Sequence, residues 1–288
     1  MILKTSTEIA SIAKHVGEHK AVELCAKAGF DGWDFSMFQM GIYNWKIDGC
    51  EDTGHPLRSA NYLQFARELR KIGEDNGIRC NQSHAPFPVK CKEIRDLLPR
   101  AIECTAEAGG EVCIIHPNND KTAEENAEMY FQLLPFAKSC GVKIATENMW
   151  NWNDATGYSA PAACSTAEDF CKHLQVVNDD AFVACLDIGH AEMQGSSSGA
   201  ANMIRALGPK LQALHIHDND RHYDSHQIPF SMDIDFAEVI CALREIGYTG
   251  WLTLEADRYL HDYCADSVFV GVQKMADTAK KLVQMFHG

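Results

Sequence analysis

No dense run of lysine or arginine occurs in this chain; the nearest approach is the Lys280-Lys281 pair. Acidic residues outnumber basic ones by 40 to 26, giving a formal charge of −14. Nucleic-acid binders draw much of their affinity from phosphate neutralisation, so DNA and RNA are disfavoured partners. Apolar runs of spanning length are also missing, since a membrane helix needs about 20 such residues. The opening Met1-Ile-Leu-Lys4 leads directly into polar residues, unlike a secretory signal. A soluble cytoplasmic protein with no membrane contact is expected. Cys-x-x-Cys pairs are absent too. The 12 cysteines sit in strand and helix patterns, as Cys113, Cys185 and Cys241 do. They read as buried reduced thiols rather than a disulfide scaffold.

What the chain does have is alternation. Short β-favouring runs and amphipathic helical stretches follow one another eight times, with no composition break to mark a second domain. Eight units in 288 residues come to about 36 each, as expected for a single α/β barrel. The expected fold is therefore one (β/α)8 TIM barrel over residues 1–288, with its active site at the C-terminal strand ends. An open doubly wound sheet is the alternative, but it would not bring four distant strand ends to one point. Two connections are long for a compact domain, residues 36–58 and 148–165. The first carries Phe38, Tyr43 and Trp45, which could cover a pocket.

Four strand ends carry the chemistry: Ile144-Ala-Thr-Glu147, Cys185-Leu-Asp187-Ile-Gly-His190, Leu214-His215-Ile-His217 and Leu252-Thr-Leu-Glu255. Glu147, Asp187, His217 and Glu255 follow one another at intervals of 40, 30 and 38 residues. Structural readings exist for several of these groups. Glu147 could pair with Lys143, and Asp-x-x-His can simply cap a helix. His215 reads as a satisfied core histidine, with His217 on the same side of the strand and nearer the mouth. Two Glu, one Asp and one His make an oxygen-rich set suited to Mn²⁺ first, with Mg²⁺, Co²⁺ or Zn²⁺ as alternatives. An ion there would polarise the carbonyl of a keto-polyol and stabilise an enediolate. Glu147 and Glu255 are the natural proton-transfer pair, with His190 a neighbour able to take the proton.

Ser83-His84-Ala-Pro86, His116-Pro117, Glu147-Asn148, Leu186-Asp187-Ile-Gly-His190, His217-Asp-Asn-Asp220 and Leu254-Glu255 resemble, in order, the xylose-isomerase-like barrel superfamily. Its members include sugar isomerases and epimerases and the endonuclease IV-type apurinic-site nucleases. The resemblance implies a divalent-metal-dependent isomerase or epimerase of carbohydrate metabolism, similar to the ketose 3-epimerases. Glu147, Asp187, His217 and Glu255 would be the ligands, and His190 would contact substrate hydroxyls. A lyase or dehydratase on a keto-sugar or keto-glycoside would use the same metal site. The nuclease branch uses three zinc ions, and His84, His116, Asp224 and His226 keep that alternative open. In a sugar enzyme those four would contact substrate, as would Trp33 and Trp150; these two and Trp152, after strands two and five, read equally as sugar-stacking surfaces or as core and loop packing. Two departures affect recognition: Phe230-Ser-Met follows His226-Gln-Ile-Pro229 in place of glycine, and Asp34 stands where relatives carry glutamate. No Gly-rich phosphate cradle follows strands seven or eight, which favours an unphosphorylated sugar. The partner expected is a small-molecule sugar, and a homo-oligomer is carried only by analogy.

Overall fold

The computed structural model describes residues 3–196 and 198–288, so the part of the first expected strand at residues 1–2 lies outside the described residues. Eight parallel strands run along one axis: β1 (Lys4–Thr7), β2 (Gly32–Ser36), β3 (Arg79–His84), β4 (Val112–Ile114), β5 (Lys143–Glu147), β6 (Phe182–Asp187), β7 (Leu211–His215) and β8 (Trp251–Leu254). Helices follow them: α1 (Glu18–Ala28), α2 (Tyr62–Asp75), α3 (Leu98–Ala108), α4 (Ala123–Ser139), α5 (Ala167–Val177), α6 (Ala200–Leu207), α7 (Phe236–Glu245) and α8 (Val268–His287). Strands β2 to β7 form one continuous six-stranded sheet, and β1 pairs with β8 in a second. The two sheets meet at seams carrying single parallel bridges, Glu8 with Asp34 and Ile216 with Leu254. The expected alternation is thus present as an α/β barrel, with ring closure at those seams reduced to single bridges.

Sequence explains the units locally. The α4 N-terminus has a full capping box, with Thr122 accepting from Glu125 N and Glu125 accepting from Thr122 N, which satisfies two otherwise orphaned amides. Helix α1 stops at Gly29, whose φ of 92° is a left-handed conformation that glycine adopts without a Cβ penalty. The helix-facing side of the sheet and the inner helix faces make the main apolar core, including Trp33, Phe35, Ile144, Phe170 and Phe182. Each such side chain stabilises by about 1.5–3 kcal/mol on burial. The barrel interior is mixed. Val112, Ile114, Ala145, Val183, Cys185 and Ala213 form an apolar cluster, while Ser6, Gln82 and Thr253 are buried and hydrogen-bonded to other polar groups there. A barrel that keeps polar groups inside can hold a polar site at its end without a buried, unpaired floor.

All 12 cysteines are free. Cys113 and Cys185 are buried as expected, but Cys241 is exposed, because it lies on the outer face of α7. Each of the two long connections contains an antiparallel hairpin. The first pairs residues 42–44 with 49–51 and the second pairs 151–153 with 158–160. Neither was evident as a strand pair in the sequence. Among the described residues no helix is long and apolar enough to cross a membrane.

Candidate metal centre and active-site cleft

Strand alternation places the chemistry. Side chains two residues apart share a face of a strand, and the inward Ile114, Ala145, Cys185, His215 and Thr253 are each followed two positions later by a polar group. Those groups are His116, Glu147, Asp187, His217 and Glu255, and all five are buried. Registers align them: Cys185 pairs with Glu147 and Asp187 with His215 across neighbouring strands. The ligand-type residues therefore cap the barrel interior at its C-terminal end.

Glu147 is at the centre. His215 spans two carboxylates, its Nδ1 lying 3.1 Å from Glu147 Oε1 and its Nε2 3.2 Å from Asp34 Oδ2. The same Nδ1 is 3.4 Å from Glu255 Oε2. Gln82 also donates to Asp34 Oδ2 at 2.8 Å. His215 is thus buried, as read from the sequence, but it is more than core filling: it ties both glutamates to the barrel floor. Alternation turned His215 inward beneath His217, but its contacts with both glutamates come from other strands.

Two further groups flank this centre. On one side, Nε2 of His84 and Nε2 of His116 approach to 2.9 Å, and they lie 3.5 and 3.2 Å from Glu147 Oε2. The approach of the histidines to Glu147 Oε2 is close without being aligned as hydrogen bonds, and this oxygen has no hydrogen-bond partner. On the other side, Asp224 Oδ2 faces Nε2 of His190 at 3.3 Å and of His226 at 3.1 Å. His217 stacks on His226 with ring centroids 3.8 Å apart, and its Nε2 lies 3.1 Å from Asp187 Oδ1. Asn148 links the halves. It donates to Asp187 O at 2.9 Å, accepts from Asp187 N at 2.8 Å, and its carbonyl lies 2.9 Å from His190 Nδ1. Gly189 is forced by space: a Cβ there would lie 1.9 Å from His217 Cε1.

Charge follows from this crowding. Burial opposes ionisation of Glu147, but the His215 charge and contacts with His116 and His84 outweigh it and hold the carboxyl well below its usual range. Burial pushes Glu255 the other way, well above the carboxylate range, against the pull of His215 and His226. Asp187 is held at about 2, since His190 and His217 overcome its burial. Although burial disfavours its charge, His190 rises to about 10 beside Asp187 and Asp224. His116 falls to about 4 through burial and the neighbouring His84.

The donor set fits divalent cations. Buried polar atoms without partners are costly, about 1–3 kcal/mol each, yet Glu147 Oε2, Asp187 Oδ2, Asp224 Oδ1 and both His217 ring nitrogens have none. Tetrahedral ligands about 2.1 Å from an ion lie roughly 3.4 Å apart, close to the His84–Glu147 and His116–Glu147 separations of 3.5 and 3.2 Å, whereas the two histidines, at 2.9 Å, are nearer than that. Groups able to hold an ion include Glu147, Asp187, His215 and Glu255; His84, His116 and Glu147; and His190, His217, Asp224 and His226. The structure brings the expected Glu147, Asp187 and Glu255 together with His215, and gathers His217 with the Asp224 group.

Above this floor opens a cavity of about 620 Å³, lined by His84, His116, Glu147, Trp150, His190, Asp224, His226 and Glu255 among others. Trp150 therefore stands at the site, its ring 6.4 Å from His190. Trp33 does not. It is 0% exposed and packs edge-on to Phe35, because Asp34 points inward to Gln82 and His215 and its strand neighbour Trp33 therefore faces the helices. The expected stacking role of Trp33 is corrected to core packing.

The sequence profile of the xylose isomerase-like TIM barrel family matches residues 22–278. The chain belongs to that family. An uncharacterised protein, MJ1311, of Methanocaldococcus jannaschii is 27% identical over 254 residues, covering 82% of this chain and 78% of its own length. Fructoselysine 3-epimerase of Escherichia coli O157:H7 is 27% identical over 129 residues, 45% of this chain and 44% of the enzyme. Among solved structures, a D-tagatose 3-epimerase-like protein superposes with a TM-score of 0.71 at 22% identity, covering 99% of this chain and 100% of that one. Several further structural neighbours are ketose 3-epimerases.

Proposed function

We propose that this family member is a divalent-metal-dependent isomerase or epimerase that moves a proton on a ketose or related keto-polyol. The observation that carries this reading is the pair Glu147 and Glu255. They arise from different strands, line one cavity, and are held by the same His215 nitrogen at 3.1 and 3.4 Å. Glu147, Asp187, His217 and Glu255 would hold the ion, whose Lewis acidity would acidify the C–H beside the substrate carbonyl. Glu147 takes the proton from that carbon. Glu255 returns one to the opposite face, so an epimerisation leaves the atom count unchanged. His190, fixed by the Asn148 carbonyl and Asp224, presents its ring to a substrate hydroxyl. His84, His116, Asp224 and His226 complete the polar wall.

The purified protein with Mn²⁺ is expected to incorporate solvent deuterium into a ketose such as D-tagatose or D-fructose. Glu147→Gln and Glu255→Gln should each lower the exchange rate by about 10²-fold or more. Exchange at the wild-type rate in either variant removes that glutamate from the mechanism.

A second reading is supported by the two flanking groups, which assemble histidines and carboxylates able to bind further ions. That donor set also suits a three-zinc apurinic-site nuclease. The charge of −14 and the apolar walls of the cleft count against a DNA substrate. Incision of duplex DNA with one abasic site, by protein carrying three zinc ions, would favour this reading over the first.

A further inference from the structure

The cleft changes character with height. Its floor is histidine and carboxylate, but its walls are aromatic. On one side Phe38 packs edge-on to His84 at 4.8 Å and to Phe87 at 5.3 Å. Trp45 continues this wall from the hairpin of residues 42–51. On the other side stand Trp150 and, from the hairpin of residues 151–160, Trp152.

The outer tryptophans are exposed yet held in place. Trp45 is 72% exposed and Trp152 39%, and with Phe38, Phe87 and Trp150 they line one cleft, the kind of contiguous apolar surface that marks a binding site. Tyr43 meets the Trp45 ring edge-on at 4.7 Å, and the Lys90 ammonium lies 4.7 Å from the same ring. Trp152 stacks on Tyr223, with centroids 5.8 Å apart and planes at 17°. Both indoles are thus oriented before any ligand arrives, which lowers the ordering cost of binding.

Size and charge narrow the occupant. A cavity of about 620 Å³ falls within the range that encloses a drug-sized ligand, more than one hexose fills. Five aromatic rings, Phe38, Trp45, Phe87, Trp150 and Trp152, line the cavity beside Asn118 and Asn151, so a flat apolar ring gains more there than a second sugar unit. The cations on the lining, Lys90 and Arg258, are matched by Asp120 and Asp257, so the upper cleft has no net preference for an anion. We infer that the substrate is a keto-sugar carrying an uncharged aryl substituent, its sugar end on the polar floor and its aryl ring between the Trp45 and Trp152 walls. The sugar end of this inference rests on the proposed function; the aryl end rests on the walls alone.

The test is calorimetric titration of the Mn²⁺-loaded protein with 1-O-phenyl-D-fructose and 1-O-methyl-D-fructose. The phenyl ether should bind about tenfold more tightly, as expected for aromatic pairing beyond area burial. In a Trp45→Ala/Trp152→Ala double variant the ratio of the two affinities should fall toward one. A ratio is read because general loosening of the cleft would weaken both ligands together. Equal affinities in the wild type, or no measurable binding of either ether, overturn the inference. A dimer in solution that Trp45→Ala dissociates also overturns it, since a second copy would then cover the walls. Deuterium exchange into unsubstituted D-fructose separates the two readings. Its absence with phenyl preference intact sinks only the proton-transfer function, and its presence with equal ether affinities sinks only the aryl site.

Discussion

Replacing Gly189 by alanine adds one methyl group at the tightest point of the site. The new Cβ would lie 1.9 Å from His217 Cε1 and 2.4 and 2.5 Å from its ring nitrogens. Ordinary carbon contacts are about 3.5–4.0 Å, so the ring must retreat by well over 1 Å. It cannot do so freely, because its other face is stacked on His226 at 3.8 Å. Two effects oppose one another. Alanine gains about 1 kcal/mol over glycine in the short helix Ile188–Glu192, while overpacking a dense interior costs about 1–3 kcal/mol or more. The clash wins, and at roughly 2–4 °C per kcal/mol the metal-free variant should melt up to about 8 °C lower. Metal affinity should suffer more, since ligand distances tolerate only about 0.2 Å. Calorimetric Mn²⁺ titration beside thermal melts of the stripped protein reads both quantities. Wild-type affinity and melting temperature in Gly189→Ala would show that His217 is not fixed where the structure places it.

Glu8 is buried and raised to about 7, chiefly by burial and then by Asp257, with Ser11 hydrogen bonds pulling the other way. Because its folded pKa lies above the unfolded value, its contribution is fully present below about pH 4.5 and is lost as pH rises through 7, about 3 kcal/mol in all. Glu8→Gln should therefore be more stable relative to wild type at pH 8 than at pH 5, and parallel urea midpoints at both pH values would refute this. Adding Mn²⁺ at about 100 times its dissociation constant should stabilise the stripped protein by about 2.7 kcal/mol, or roughly 5–11 °C. An unmoved melting curve removes the metal site. Asp34→Leu strips partners from His215 and Gln82 and should cost about 1–3 kcal/mol for each orphaned group, which urea denaturation measures.

The sequence was most informative where chemistry and period coincide. Strand ends one barrel unit apart pointed to Glu147, Asp187 and Glu255 as neighbours, which the structure groups with His215 while His217 lies with Asp224, and the strand-helix alternation made the barrel readable. Trp33 goes to the core for a local reason: its neighbour Asp34 points inward to Gln82 and His215, so alternation turns Trp33 toward the helices. The partnership of His215 with both glutamates depends on the angular approach of three strands, which no linear spacing encodes. The hairpins carrying Trp45 and Trp152 were hidden because each strand is three residues long, too short for a period to register.

The single bridge between β7 and β8 has a mechanical corollary. The backbone hydrogen bonds that cross this seam among the described residues, Ile216 N to Thr253 O and Glu255 N to Ile216 O, lie at the C-terminal rim of the barrel. Lower down the strands part around a second cavity of about 450 Å³ lined by Arg79, Gln212 and Trp251, where the β6–β7 register also slips. The barrel is laced at its collar and open at its hem. Breathing should begin at the hem, with the amide of Gln212 exchanging faster than that of Ile216, while the collar keeps the ligand residues in step.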